Sequence, residues 1–203
     1  ACAAILVETK NVGRAQNGLI AVWPKGNTQG AWDMGLRPAE GDLENALADA
    51  KAVYIMAVDP VGDDPSLAAS LDRDRFLVVQ ELFMTPTAEL ADVVFPAESF
   101  VEREGTFTSG ERRVQRFYPA VKALGETKAD WRIITSLADS LGIELESSSA
   151  AAVFLRIAAS NEAYTGLSYQ SLTKVEKQWP PVGDKDLYFG GTTFKNQQGL
   201  GVQ

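Results

Sequence analysis

Three stretches of the sequence carry residue types that could bind a phosphate-bearing or nucleotide ligand. Gly26–Gly35 is glycine-rich and is predicted to form a loop, whose backbone N–H groups could approach a phosphate closely. Asp59 ends an apolar run and could accept hydrogen bonds from a purine or a ribose, and Phe83–Thr87 follows a second apolar run. Each stretch also has an ordinary structural explanation, because glycines and Asp-Pro pairs commonly form turns.

A fourth stretch concentrates arginines around residues 105–115. Arginine can clamp a phosphate with two parallel hydrogen bonds. These arginines could equally pair with the nearby carboxylates of Glu102, Glu104 and Glu111, so the sequence alone leaves both explanations open. The four arginines of this stretch are Arg103, Arg112, Arg113 and Arg116.

The composition excludes several kinds of site. The chain has one cysteine, Cys2, and no histidine, so it lacks a Ser-His-Asp triad, a histidine-ligated metal and a four-cysteine iron–sulfur cluster. Carboxylate-bound magnesium remains open, but no EF-hand or P-loop spacing is present, and we predict no catalytic residue and no metal ligand here. A net charge of −8 argues against a nucleic-acid partner. No apolar run of about 18 residues is present, so no membrane span is predicted.

Short helical and apolar segments alternate along the first half of the chain, which predicts an α/β fold with a mainly parallel sheet flanked by helices. Ligands of such sheets bind beyond the carboxyl ends of the strands, where Asp59 and Phe83–Thr87 would lie. No dinucleotide-binding GxGxxG and no P-loop follows a strand. The predicted strands are Leu19–Pro24, Ala52–Pro60, Arg75–Leu82 and Asp92–Pro96, and the predicted helices between them are Ala1–Lys10, Asp42–Ala50, a helix that begins at Asp64 and one over Thr85–Asp92.

The second half predicts a β-hairpin and further helices. A tight turn at Ser109–Gly110 would join the hairpin strands. Thr127–Asp130 resembles a capping box ahead of a helix that Gly142 would end. Helices follow over Glu146–Ser160 and Ser168–Lys177, and an irregular tail begins at Trp179. We predict domains at 1–145 and 146–203, and we expect the chain to be a piece of a longer polypeptide.

Four segments in this order resemble the molybdopterin oxidoreductase family. They read GNTQGAWDMG, then VDP after a strand, then QELFMTPTAELADVVFPAESFVEREGTFTSGERRVQ, then GETKADW. The resemblance runs from Ala1 to Gly142, and it implies a Rossmann-like domain. Formate dehydrogenases and nitrate reductases belong to this family, as does the large iron–sulfur subunit of bacterial NADH:quinone oxidoreductase, respiratory complex I.

The resemblance implies a cofactor region. In formate dehydrogenases this region binds one half of a molybdenum bis-guanine-dinucleotide cofactor, whereas in the complex I subunit the same fold persists as a scaffold without molybdenum. The positions of this chain that match the cofactor-binding motifs are Gly26, Asn27, Gln29, Gly30, Asp33, Asp59, Thr85, Thr87, Gly105, Thr106, Arg112 and Gln115.

Three departures from the family pattern favour the scaffold form. Pro86 stands where an acidic residue is usual, Ser109–Gly110 replace an asparagine and its hydroxyl neighbour, and Lys25 stands where a glutamine is usual. Each change would remove a polar group that a buried dinucleotide could use, at about 1–3 kcal/mol. The terminal segments NVGRAQNGLIAVWP and DLYFGGTTFKNQQGLGVQ also resemble the complex I subunit.

Our leading hypothesis at this point is a redox-inactive scaffold fragment of that complex I subunit. It implies no cofactor in this chain, iron–sulfur clusters in a preceding part, other respiratory subunits as partners, and a cytoplasmic location peripheral to the plasma membrane. One alternative is a fragment of a formate-dehydrogenase-like molybdenum enzyme, which would bind the guanine-dinucleotide cofactor. The other is a free-standing nucleotide-binding α/β module.

Overall fold

The computed structural model describes residues 1–12, 22–38, 47, 49–71, 75–110, 113–146 and 148–173, and all elements below lie within them. The chain divides into two compact units. The hairpin unit comprises Ala1–Arg37, Gly105–Phe117 and Ala151–Gln203, and the sheet unit comprises Pro38–Glu104 and Tyr118–Ala150. The domain limits 1–145 and 146–203 stay a prediction.

Three parallel strands form the sheet unit's centre, in the order β1 (Ala52–Met56), β2 (Phe76–Glu81) and β3 (Val93–Pro96). Ile55, Val79 and Val94 lie side by side across the sheet. These strands come from unbroken apolar runs, which are typical of strands covered on both faces. The predicted α/β fold with a parallel sheet is confirmed.

Strand β1 is shorter than predicted. It ends at Met56 because Ala57 has a φ of 56°, a left-handed conformation that does not continue a strand. The Ala57 N–H still donates to the Gln80 carbonyl at 3.0 Å, so the chain leaves the sheet immediately after this bond. Asp59 consequently lies beyond the strand end rather than inside it.

Short helical segments connect the strands. Helix α3 (Pro60–Asp63), a 3-10 turn (Pro65–Leu67) and α4 (Ala68–Leu71) lie between β1 and β2, and α5 (Pro86–Glu89) lies between β2 and β3. The predicted cap at Asp64 is confirmed, because its carboxylate accepts the Ser66 N–H at 3.0 Å. The predicted helix start at Pro86 is confirmed as well. The helical residues Val61, Leu71 and Ala88 pack with Leu77 and Val79 of β2 in a buried core.

Helix α6 (Asp130–Ser140) follows the sheet in the chain, but the predicted capping box is wrong. Ala129 is the N-cap, and the Thr127 hydroxyl donates to the Leu124 carbonyl at 2.8 Å instead of capping the helix. The physical reason is that Lys128 pairs with Ala97 in a parallel bridge, which keeps the chain extended up to the helix.

The hairpin unit contains the predicted hairpin, β4 (Gly105–Thr108) and β5 (Val114–Phe117), as an antiparallel pair. The predicted turn at Ser109–Gly110 lies at the start of the connection between Thr108 and Val114, of which residues 109, 110 and 113 are described. The Ser109 N–H donates to the Arg113 carbonyl at 3.0 Å and closes this connection. Arg112, predicted to contact the cofactor, lies outside the described residues.

The hairpin unit also has helices α1 (Cys2–Glu8), α2 (Thr28–Asp33) and α7, which runs Ala150–Ser160 with its first residue in the sheet unit. Helix α2 lies where the sequence predicts a glycine loop, so that prediction is wrong. The physical reason is tertiary, because Gln29 and Gly30 are buried and Gln29 accepts the Trp23 Nε1–H from outside the helix.

Two 3-10 turns follow, Glu162–Tyr164 and Ser171–Thr173. The second is all that the described residues show of the predicted helix Ser168–Lys177. Val22–Pro24 form no strand, and the rest of the predicted strand Leu19–Pro24 lies outside the described residues, as do most of the helix Asp42–Ala50 and the whole tail.

Candidate functional site

Asp59 and Thr87 meet at the carboxyl edge of the sheet in the sheet unit. The Thr87 hydroxyl donates to Asp59 Oδ1 at 2.6 Å, and the Thr87 N–H donates to the same oxygen at 3.0 Å. The Gly62 N–H adds a third bond at 3.1 Å. Asp59 follows β1 and Thr87 follows β2, so adjacent parallel strands bring the two residues together.

These bonds hold Asp59 in its charged form. The Thr87 hydroxyl, and with smaller effect the backbone N–H groups of Thr87 and Gly62, lower the pKa of Asp59 below its ordinary value. Thr87 is fully buried, and its oxygen also accepts the Val61 N–H at 3.0 Å. A Cβ on Gly62 would collide with Asp59 Oδ2, so glycine is required beside this carboxylate.

Thr85 completes the strand-end site as the N-cap of α5. Its hydroxyl oxygen accepts the Ala88 N–H at 3.2 Å, and Thr85 also contributes to lowering the pKa of Asp59. Pro86 occupies the first position of the helix, where its fixed φ suits the backbone. The strand-end site therefore tolerates the proline that departs from the family pattern. Phe83 and Met84 are exposed at the same edge.

Asn27 and Gly30 contact the hairpin within the hairpin unit. Asn27 Oδ1 accepts the Thr108 N–H of β4 at 2.8 Å. A Cβ on Gly30 would collide with that same Asn27 oxygen and would lie 3.3 Å from the Thr108 hydroxyl oxygen. Glycine at this position therefore allows the close approach of α2 to the hairpin.

Gln29 and Asp33 are joined on α2. Gln29 Nε2 donates to Asp33 Oδ1 at 2.8 Å, and Gln29 Oε1 accepts the Trp23 Nε1–H at 3.0 Å. Asp33 further accepts the Tyr164 hydroxyl at 3.3 Å through Oδ2 and the Asn161 side-chain amide at 2.8 Å through its carbonyl. These two predicted site residues thus bond to other parts of the protein.

Among the described residues, the predicted site residues of the hairpin lie on both strands, and each is paired with a residue of the other strand. A Cβ on Gly105 would lie 2.7 Å from the Phe117 ring, so glycine here makes room for an aromatic side chain across the hairpin. Thr106 lies opposite Arg116, and Gln115 lies opposite Phe107. The Phe107 and Phe117 ring centroids are 4.6 Å apart.

Two members of the arginine stretch contact protein groups in different units. Arg103 forms an ion pair with Asp130 at the start of α6, in the sheet unit. In the hairpin unit, Arg116 lies over the Tyr169 ring with its guanidinium carbon 4.2 Å from the centroid. The predicted pairing of Arg113 with local carboxylates stays a prediction. Arg103 and Arg116 thus each have a protein partner within their own unit.

The structure brings the predicted site residues together in two groups. Asp59, Thr85 and Thr87 form the first, in the sheet unit, and their contact with a cofactor stays a prediction. The second group, in the hairpin unit, comprises Asn27, Gln29, Gly30 and Asp33 near Thr108, and its role toward a cofactor also stays a prediction. Gly26 is exposed, and a Cβ there would meet no atom within 4 Å.

Sequence reasoning missed two polar clusters. Tyr164 and Asn161 reach Asp33 from 131 and 128 residues away, a separation that no local pattern encodes. In the sheet unit, the fully buried Gln80 accepts the Tyr54 hydroxyl and donates to Asp130 Oδ1 at 2.6 Å. A glutamine inside an apolar run was the available signal, since buried amides require partners.

Within the described ranges, no three side chains of histidine, cysteine, aspartate or glutamate gather as a metal site would require. No helix among the same residues is long and apolar enough to cross a membrane. The peripheral location at the plasma membrane stays a prediction.

Comparison with known proteins identifies formate dehydrogenases among the relatives. The alpha subunit of F420-dependent formate dehydrogenase 2 from Methanococcus maripaludis is 33% identical over an alignment of 216 residues, which covers 88% of this chain and 32% of the relative. A Staphylococcus aureus protein provisionally named formate dehydrogenase is 41% identical over 133 residues, covering 63% of this chain and 14% of the relative. The chain thus spans about a third or less of the length of these relatives.

A solved structure, acetylene hydratase from Pelobacter acetylenicus, gives a TM-score of 0.49 at 25% identity, covering 64% of this chain and 19% of that chain.

The complex I hypothesis is wrong, because the relatives reported above are formate dehydrogenases. Pro86 leaves the neighbouring Asp59–Thr87 bonds intact. The loss of a cofactor contact at this position stays a prediction. Residues 1–140 match the family described as molybdopterin oxidoreductase. This match covers more than half of the chain, which therefore belongs to the molybdopterin oxidoreductase family.

Proposed function

We propose that this chain is a cofactor-binding region of a formate dehydrogenase catalytic subunit. The observation that carries the proposal is the 33% identity to a formate dehydrogenase alpha subunit over 88% of this chain. An alignment of that extent includes both the strand-end residues and the hairpin. The substrate would be formate, and the group bound would be a molybdopterin guanine-dinucleotide cofactor.

The strand-end site offers a carboxylate that could accept hydrogen bonds from such a group. Asp59 Oδ1 is occupied by Thr87 and Gly62, and the charge that these bonds stabilise would attract the N–H groups of a guanine or the hydroxyls of a ribose. The absence of a Cβ at Gly62 keeps the surroundings of Asp59 Oδ2 open. Asp59 would therefore bind the nucleotide end of the cofactor, and Thr85 and Thr87 would orient its carboxylate.

The cofactor, when bound, would accept the two electrons that formate loses on oxidation to carbon dioxide and a proton. The residues described here would bind and orient it, and they include no side chain that would move the proton. Because the relative is itself an alpha subunit, we further propose that another subunit takes up the electrons.

The test uses the complete polypeptide that carries this sequence, produced in a host that makes the cofactor. The expected result is stoichiometric molybdenum by elemental analysis, release of guanine nucleotide on denaturation, and oxidation of formate with an artificial electron acceptor. Asp59→Asn should lower the molybdenum content, because it removes the charge yet keeps an oxygen for the Thr87 N–H. Asp63→Asn, which removes an exposed carboxylate four residues away, is the matched control.

A wild-type protein that acquires neither molybdenum nor guanine nucleotide would refute the proposal. Full cofactor content without formate oxidation would keep the cofactor role and refute formate as the substrate. Equal cofactor content in Asp59→Asn and Asp63→Asn would refute the assignment of Asp59.

A further inference from the structure

Three segments far apart in the sequence are joined by one chain of hydrogen bonds within the hairpin unit. Thr108 is the last residue of β4, Tyr164 lies in a 3-10 turn, and Asp33 ends α2. The Thr108 hydroxyl oxygen lies 2.9 Å from the Tyr164 hydroxyl, which lies 3.3 Å from Asp33 Oδ2. We refer to these three residues as the Asp33–Tyr164–Thr108 chain.

The hydrogen bonds of the Asp33–Tyr164–Thr108 chain all run in one direction when the Asp33 side chain is a carboxylate. A carboxylate only accepts, so the single hydroxyl proton of Tyr164 goes to Asp33. Thr108 must then donate to Tyr164, since a phenol has only one proton to give. Tyr164 is 2% exposed and Thr108 is 3% exposed, so water has little access to replace either bond.

Asp33 is itself held from other sides. Its second oxygen accepts Gln29 Nε2, and Gln29 is tied to Trp23. Its carbonyl accepts the Asn161 side-chain amide at 2.8 Å. The carboxylate is therefore a fixed acceptor, and it sets the orientation of the Tyr164 hydroxyl.

Thr108 is held at two points. Its side chain bonds to Tyr164, and its N–H donates to Asn27 Oδ1 at 2.8 Å. Thr108 is also the last paired residue before the connection 109–113, where it lies opposite Val114. Fixing Thr108 consequently fixes the direction in which the hairpin enters its connection.

We propose that Asp33, acting through Tyr164 and Thr108, is a positioning residue that orients the β4–β5 hairpin for the cofactor. The inference rests on the proposed function, because the hairpin carries Thr106 and Gln115, which match cofactor-binding positions of the family. It assigns Asp33 to the hairpin instead of to direct contact with the cofactor, and it gives Tyr164 and Thr108 a role that sequence reasoning missed.

The first test measures hydrogen exchange in β4 of the complete polypeptide by mass spectrometry. Tyr164→Phe and Thr108→Val each remove one hydroxyl from the chain and should speed exchange in residues 105–109 about tenfold. Thr108→Ser keeps the hydroxyl and should exchange like the wild type. The double variant should exchange no faster than Tyr164→Phe alone, because that single variant already removes both the Thr108–Tyr164 bond and the bond to Asp33. Ile133→Val, in the buried core of the sheet unit, is the control and should leave exchange in residues 105–109 unchanged.

The second test measures the rate at which the purified holoprotein loses molybdenum. Tyr164→Phe and Thr108→Val should lose it several-fold faster than the wild type, and Thr108→Ser should not. Ile133→Val removes a buried methyl group of α6, in the sheet unit, and lowers stability there, so it should leave the rate of loss unchanged. A rate that follows thermal stability in all variants, Ile133→Val included, would show a merely structural effect and overturn the positioning role.

The failures of the two proposals are distinguishable. Faster exchange with unchanged molybdenum loss overturns the positioning role and leaves the cofactor function standing. A wild type that never binds molybdenum refutes the proposed function and, with it, the role of the hairpin toward a cofactor. Unchanged exchange in both Tyr164→Phe and Thr108→Val overturns the inference at its first step.

Discussion

Thr87→Val removes the hydroxyl that links the two strand ends of the sheet unit, and we expect it to destabilise this unit. Thr87 is fully buried, and its oxygen accepts the Val61 N–H at 3.0 Å while donating to Asp59. Valine has nearly the same shape, so the change creates almost no cavity. It leaves the N–H of Val61, a residue that is only 8% exposed, without an acceptor.

An unsatisfied buried N–H costs about 1–3 kcal/mol. We therefore expect the free energy of unfolding to fall by about 2 kcal/mol, which corresponds to about 4–8 °C in Tm for a chain of this size. Thr87→Ser keeps the hydroxyl and loses one methyl group, so it should cost about 1 kcal/mol. The remaining Thr87 N–H bond to Asp59 is common to both variants.

Chemical denaturation of the purified protein, followed by circular dichroism, measures both variants against the wild type. The titration of Asp59 by NMR adds an independent readout, because its pKa should rise toward the ordinary value in Thr87→Val and stay low in Thr87→Ser. If Thr87→Val is no less stable than Thr87→Ser and the pKa of Asp59 is the same in both, the Thr87 hydroxyl does not link the strand ends as we argue.

Three further predictions concern single interactions. The pKa of Asp59 is lowered in the folded protein, so the stability that its charge contributes is complete above its ordinary pKa of 3.8 and is lost as the pH falls through its folded value. The difference in unfolding free energy between the wild type and Asp59→Asn should therefore shrink below about pH 4 in a series of denaturant titrations. A difference that stays constant with pH would contradict this. Gly105→Ala places a Cβ 2.7 Å from the Phe117 ring and should destabilise the hairpin by about 1–3 kcal/mol, measured by thermal unfolding, and an unchanged Tm would count against that packing. Asp130→Ala leaves Arg103 and the Gln80 amide without their shared acceptor, and it should lower the free energy of unfolding by about 2 kcal/mol in a denaturant titration. Asp139 is exposed on the same helix, so Asp139→Ala should lower it by less than about 0.5 kcal/mol. Equal losses in the two variants would refute this role of Asp130.

The predictable parts of the fold were those whose cause is local. The apolar runs of β2 and β3 and the proline at the start of α5 each contain their own signal, and they are present as predicted. The glycine-rich segment misled because α2 depends on partners distant in the chain. Gly30, a poor helix residue, is there because Asn27 must reach Thr108, a residue 81 positions from Asn27.

The capping box failed for a similar reason. Thr127 and Asp130 have the spacing of a cap, but the bridge between Lys128 and Ala97 holds the intervening backbone extended. The strand-end site was predicted better, because a parallel sheet places residues that follow adjacent strands at one edge. Sequence order thus predicted that Asp59 would lie near Thr87, whereas nothing comparable predicted that Tyr164 would reach Asp33.

The wrong functional hypothesis came from treating every departure from a family pattern as a lost ligand. At Pro86 the departure leaves the local structure unchanged, because a helix needs no side-chain partner at its first position, and both the Thr85 cap and the Thr87 bond to Asp59 are made. The cost of a substitution depends on whether the side chain that it replaces made a contact, which a motif cannot reveal. Asp33 shows the reverse case, since it matches the cofactor motif, yet its carboxylate accepts Gln29 and Tyr164. A residue that matches the family pattern can therefore bond to the protein itself, and a residue that departs from the pattern can leave the neighbouring bonds intact. The bonds that a single residue makes are thus better evidence of that residue's role than its agreement with the pattern.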